Sequence, residues 1–346
     1  MKETKLFISF LFFYILFSSI GYTAVITSTG TAGVPLLWNS PNTWDSGTIP
    51  TVGDDVVISQ GFIIIIDTTA ICSAASLTLD KYATLRFVSD GVTGSTLTIS
   101  GDIYCGNAAQ IIINSSNEND KFYLSCQKLK LVENNDFVIN IDTSDVRVDI
   151  NIFSDIELAK NEYNGSKFEV VFGSNSLNSN VVINTLNLTI DKDCIFKVVS
   201  STIVNFSVYG SGKLINNGML LINTPGSFIF EEIENNKNIY FYNPIINTTL
   251  DLYLGAATNL GYMEIVGIDP NPANHDKPDP EFVKRTISIS ADYILTLKRN
   301  KETSVGMRME NVVVHHTGLW DTTTPEGYEL YGIVFIGVGA PIDGTK

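Results

Sequence analysis

From Val56 to about Gly267 the chain is written in short apolar runs that alternate with polar positions and stop at Asn, Gly, Ser or Asp. Successive side chains of an extended chain point to opposite faces, so runs of this kind predict strands. They fall at 62–67, 76–79, 84–88, 96–99, 110–114, 122–126, 136–141, 146–153, 168–172, 181–190, 195–199, 203–209, 213–216, 219–223, 239–242 and 250–254. No stretch carries the helical apolar period over the length of a normal helix, and residues 155–161 have room for one helical turn. Two architectures accommodate so many short strands: a sandwich and a right-handed parallel β-helix. The strand count is high for one sandwich. Asn recurs at the turns, where it tolerates left-handed backbone and can ladder between coils. The phrase from Gly212 to Asn223, GKLINNGMLLIN, reads as two coil faces joined by an Asn-Gly corner. These features predict an all-β, right-handed parallel β-helix. No fixed period survives counting, so this is not a clean repeat array.

One β-helix coil cannot bury its apolar face alone, so the first coil needs a cap. Residues 38–55 have the composition of one. Trp38 and Trp44 are large enough to cover an open stack end, and Ser46, Gly47, Pro50, Gly53, Asp54 and Asp55 supply turns. The segment W-x-S-G-x-x-P-x-x-G-D-D-V-x-I over Trp44–Ile58 is followed by Gly61, an apolar strand ending at Asp67, and Ala74-Ala75-Ser76-Leu77-Thr78-Leu79. This pattern resembles the start of G8-type and related β-helix domains of secreted bacterial surface proteins. The resemblance runs from about Trp38 through Ile113 and implies the fold. Some animal proteins with such a domain are linked to hyaluronan breakdown, but no catalytic motif of theirs maps onto residues here.

The character changes near Ile268. Residues 268–285 form a Pro/Asp-rich linker or loop, and 286–346 hold longer runs that predict a small antiparallel domain or a C-terminal cap. The expected organisation is therefore a signal peptide at 1–24, a cap at 25–55, a β-helix at 56–267, the linker at 268–285 and a C-terminal β region at 286–346. The targeting segment is read from Lys2 and Lys5, the apolar run Leu6–Phe17 and the small and polar residues up to Ala24. That run is short for a membrane span. The expectation is a secreted or cell-surface protein that is not integral to the membrane. The last residues, Gly339-Ala-Pro-Ile-Asp-Gly, resemble the start of a C-terminal sorting tag of Bacteroidetes-type secreted proteins, without the apolar segment and basic tail that follow in that family.

Charge narrows the partners. Lys and Arg number 22 against 37 Asp and Glu, a net charge of −15. That balance argues against nucleic acid and anionic lipid surfaces, which need cationic side chains. Polysaccharide or other surface proteins remain as partners, and calcium is possible as a bound ion. Four cysteines, Cys72, Cys105, Cys126 and Cys194, match no zinc spacing. They read either as disulfides permitted by export, with Cys105 and Cys126 on neighbouring rungs, or as buried small apolar residues.

Candidate chemistry is sparse. In Asp145-Val-Arg-Val-Asp-Ile-Asn, strand alternation would put Asp145, Arg147, Asp149 and Asn151 on one face. An enzyme acting on acidic polysaccharide would want such a ledge, with carboxylates as general acid or calcium ligands and arginine on a uronate. A self-neutralising solvent face has the same pattern. Asp191 and Asp193 read as a turn, and Glu231, Glu232 and Glu234 as a solvated acidic patch. Asp269, Asp276 and Asp279, beside His275, are the weak candidates for a metal, and no cofactor site is expected. The function these readings favour is an exported structural, adhesive or glycan-contacting surface protein with no catalysis, in which aromatics such as Tyr123, Tyr163, Tyr209, Tyr240 and Tyr242 could stack on sugar rings. The alternative is a β-helix polysaccharide lyase or hydrolase.

Overall fold

The computed structural model describes residues 24–67, 71–160 and 164–242, followed by the segments 249–253, 256–259, 262–266, 286–291, 295–297, 307–310, 312–316, 320–321 and 333–336. Residues 1–23 of the segment read as a signal peptide, the stretch 268–285 and the tag-like end lie outside the described residues.

The chain coils into a parallel β-helix of three faces. Face III is a 12-stranded sheet that includes Pro35–Leu37, Ile63–Ile66, Thr84–Phe87, Gln110–Asn114, Asp136–Ile141, Lys167–Phe172, Ile195–Ser200, Met219–Asn223 and Asn238–Tyr242. The other 20 strands form one sheet that bends into two faces. Face I includes Ile71–Ala74, Ser95–Ile99, Lys121–Cys126, Arg147–Ile152 and Asn180–Thr185. Face II includes Val25–Thr27, Asp55–Ile58, Ser76–Leu79, Ile103–Cys105, Leu129–Val132, Asp155–Ala159 and Asn187–Ile190. Two long strands, Asn205–Asn216 and Gly226–Asn235, cross the bend and contribute to both faces. Each coil runs along face III, then I, then II, and steps up by one strand spacing.

Alternation builds the core. One inward row on face III runs Ile64, Leu85, Ile111, Phe137, Phe168, Phe196, Leu220, Ile239 and Met263, each opposite the next in register. All are buried. Phe137, Phe168 and Phe196 stack with ring centroids 4.5 and 4.8 Å apart and nearly parallel planes. Face II contributes Leu77, Ile103, Leu129, Ile156 and Leu188 in the same way. The coils are unequal, which is why no period shows in the sequence. Phe137 pairs with Phe168, 31 residues on, while Leu220 pairs with Ile239, 19 residues on.

Trp38 and Trp44 are buried, meet edge to face at 5.1 Å, and are tied by the Trp44 indole N–H donating to the Trp38 carbonyl at 2.8 Å. Asp54 closes its turn by accepting from the Thr51 N–H at 2.8 Å, and Asp55 opens the next strand. Asn works as expected. Asn119, Asn134 and Asn178 take left-handed backbone, and amide ladders join Asn114 to Asn140, Asn151 to Asn184 and Asn216 to Asn235 across coils.

Three expectations change. Residues 155–159 form a face II strand rather than a helical turn, because Ile156 and Leu158 pair inward against Leu129 and Leu131. The run 181–190 is two strands with a bend at Leu186, where the Thr185 hydroxyl donates to the Ser154 and Asn187 carbonyls. The C-terminal strands are not antiparallel. Thr286–Ala291, Met307–Glu310, Val312–His316 and Ile333–Ile336 pair in parallel with the coil below or above and continue the same stacks.

Candidate functional site

The acidic ledge does not assemble as its alternation suggested. Asp145 has φ 58° and lies in the left-handed turn before the strand, with its N–H donating to the Leu177 carbonyl. Arg147 and Asp149 do share the outward side of face I, but they pair with each other, the Arg147 Nε donating to Asp149 Oδ2 at 2.7 Å. That hydrogen bond raises the guanidinium pKa above its ordinary value. Asn151 is held by Asn184 at 2.8 Å. Asp193 lies in a turn, as expected, and accepts from Lys160, which lowers its carboxyl pKa. Asp269, Asp276, Asp279 and His275 lie outside the described residues. Among the described residues no group of three His, Cys, Asp or Glu side chains stands close enough to hold a metal.

The cysteines are buried thiols, which is the packing reading rather than the disulfide one. Burial raises all four. Cys72 and Cys126 are pushed to about 12 and Cys194 to about 11, while Cys105 rises by burial with Cys126 close by.

A concave feature of the surface lies elsewhere, on the outside of the bend between faces I and II. It is a groove of about 850 Å³ lined by Asn184, Thr185, Asn187, Tyr209, Lys213, Ile229, Glu231 and Glu232, with Gly210, Ser211 and Gly212 as its floor. Three successive coils contribute. Earlier coils fill this bend with exposed side chains, Phe153 and then Leu186. In the next coil Ser211-Gly212 takes that place, and the surface drops.

Local packing explains the choice of residues. Two residues, Ser211 and Gly212, stand opposite the single Glu231, so the register slips between Gly210 and Lys213. The floor is pressed onto its neighbours. A Cβ on Gly210 would stand 2.0 Å from the Phe230 ring, and one on Gly212 would meet Asn187 Oδ1 at 2.4 Å. Both positions therefore exclude any larger side chain while this backbone path is kept.

The walls are polar and ordered by hydrogen bonds. Lys213 Nζ lies 2.8 Å from Glu232 Oε1 and 2.8 Å from Glu234 Oε2. These bonds raise the lysine pKa, and the one to Glu234, with help from Asn236, lowers that carboxyl. The Lys213 N–H donates to Asn187 Oδ1 at 2.7 Å, and Asn187 Nδ2 donates to Asp155 Oδ1 at 2.8 Å. Tyr209 stands 42% exposed on one wall. Glu231 is exposed and has no ion-pair partner among the described residues.

Of the residues singled out in the sequence, Tyr209, Glu231 and Glu232 reach this groove; Glu234, Asp145, Arg147 and Asp149 do not line it. Tyr240 and Tyr242 share an outward side of face III with ring centroids 6.0 Å apart, far along the coil from the groove. Lys213, Asn184 and Asn187 carried no distinguishing signal. Among the described residues no helix is long and apolar enough to cross a membrane. Comparison of the chain with protein families, with curated proteins and with solved structures returns no match.

Proposed function

We propose that this chain is an exported cell-surface or extracellular protein that contacts glycans through the groove at the bend of its β-helix, without turning them over. The observation that carries the reading is Tyr209, an aromatic ring left in solvent beside amides and carboxylates that are already fixed in place. A sugar ring offers C–H groups on its faces and hydroxyls at its rim. Tyr209 gives those faces an apolar platform with a polar tip. Asn184, Asn187 and Glu231 offer acceptors and donors for the hydroxyls. The groove volume lies within the range of ligand sites, and the close packing under Gly210 and Gly212 keeps larger side chains off its floor. Export rests on the basic and apolar N-terminal sequence.

Binding of the purified protein to a panel of neutral, amino and acidic oligosaccharides tests the reading. Saturable binding to a member of the panel, weakened at least tenfold by Tyr209→Ala without loss of melting temperature, supports it. No binding across the panel, or binding indifferent to Tyr209, overturns it.

A further inference from the structure

The charges around the groove are unevenly partnered. The lining holds one cation, Lys213, and two carboxylates, Glu231 and Glu232, and the lysine is engaged by Glu232 and Glu234. A uronate entering here would meet no unpaired cation in the lining. It would have to displace one of two charge-assisted bonds to Lys213 and would stand beside Glu231 as a like charge. A protonated amine meets the opposite arrangement. Glu231 is exposed and unpaired among the described residues, and Tyr209 borders the same groove, where a ring face attracts a cation.

We infer that the groove selects glycans carrying free amines, that is, de-N-acetylated amino sugars, over uronate-containing ones, with Glu231 as the residue that sets the preference. This rests on the reading of the groove as a glycan site. It separates the molecule from the acidic-polysaccharide partner that its fold and Arg147 suggested.

The test compares three probes at low salt and mildly acidic pH: a glucosamine tetrasaccharide, its fully N-acetylated counterpart and a galacturonate tetrasaccharide. The amine form is expected to bind roughly 1.5- to fivefold more tightly than the N-acetylated one, the scale of an exposed charge pair. The galacturonate is expected to bind most weakly. Glu231→Gln should bring the ratio of the first two towards one, and added salt should do the same. Equal binding of the amine and N-acetylated forms, or a preference for galacturonate, with Tyr209→Ala still abolishing binding, overturns the charge inference and leaves the glycan reading standing. If no probe binds, both fall together.

Discussion

Phe168 sits at the centre of the aromatic stack, fully buried, with Phe137 at 4.5 Å below and Phe196 at 4.8 Å above, their planes 7° and 11° from its own. Replacing it with alanine removes roughly 180 Å² of buried apolar surface, about 4.5 kcal/mol at ~25 cal/mol per Å². Core Phe→Ala changes measured elsewhere cost about 3–5 kcal/mol, which includes the cavity left behind. Relaxation is restricted here. The Phe168 backbone is held in parallel register on both sides, against Asp136–Ile141 and Ile195–Ser200, so neither neighbouring coil can settle into the gap without breaking its own ladder. We therefore expect a loss of about 4 kcal/mol for Phe168→Ala and about 1–1.5 kcal/mol for Phe168→Leu. Urea unfolding followed by circular dichroism measures the total. Amide hydrogen exchange on residues 137–141 and 195–199 reports whether the loss spreads to the adjacent coils, as nearest-neighbour coupling in a stacked array requires. An alanine variant that loses less than about 1.5 kcal/mol, or exchange that rises only in the substituted coil, would refute close packing between rungs.

Gly210→Ala should destabilise by about 1–3 kcal/mol, because the new methyl group would overlap the Phe230 ring. Phe230→Leu in the same chain should recover part of that loss, and thermal melts of the single and double variants decide it. Glu234 is held below the ordinary carboxylate range by Lys213 and then by Asn236. A depressed carboxyl contributes stability that is present above its unfolded pKa of about 4.3 and is lost as the pH falls through the lower folded value. The melting temperature of Lys213→Met should therefore fall less than that of the native sequence between about pH 5 and about pH 3; equal slopes would contradict the pairing. The thiols, with pKa values raised to about 11 or beyond, should not react with a disulfide reagent at mildly alkaline pH while the protein is folded, and all four should react in denaturant.

The inward rows were readable because burial imposes a period of two, and that period survives in Leu77, Leu79, Ile111, Ile113, Phe137 and Ile139. The corners were partly readable through Asn, whose left-handed conformations and ladders recur as its chemistry dictates. The bend at Leu186 left a subtler trace. Inward positions run odd through Val181, Ile183 and Thr185, then even through Leu188 and Ile190, a slip of one residue inside a run that otherwise looks continuous. The groove itself was not legible. Its walls come from three coils of unequal length, so Asn187, Lys213 and Glu232, adjacent in space, have no fixed spacing in the chain. Glu231, Glu232 and Glu234 looked like a simple acidic patch because nothing in the sequence places Lys213 against them. Alternation also carried Asp145 onto the face of Arg147, whereas a left-handed turn before the strand takes it off.

The unequal coils have a mechanical consequence. The strand Val25–Thr27 lies at one end of the stack and Ile333–Ile336 at the other, so tension drawn between the ends meets the coils in series. Each coil that peels away frees its own length of chain: 31 residues from Phe137 to Phe168, 19 from Leu220 to Ile239. At about 3.4 Å per residue these are steps of roughly 105 and 65 Å. A molecule pulled along its axis would lengthen as a ladder of small, unequal releases, yielding coil by coil while the remaining stack keeps its shape.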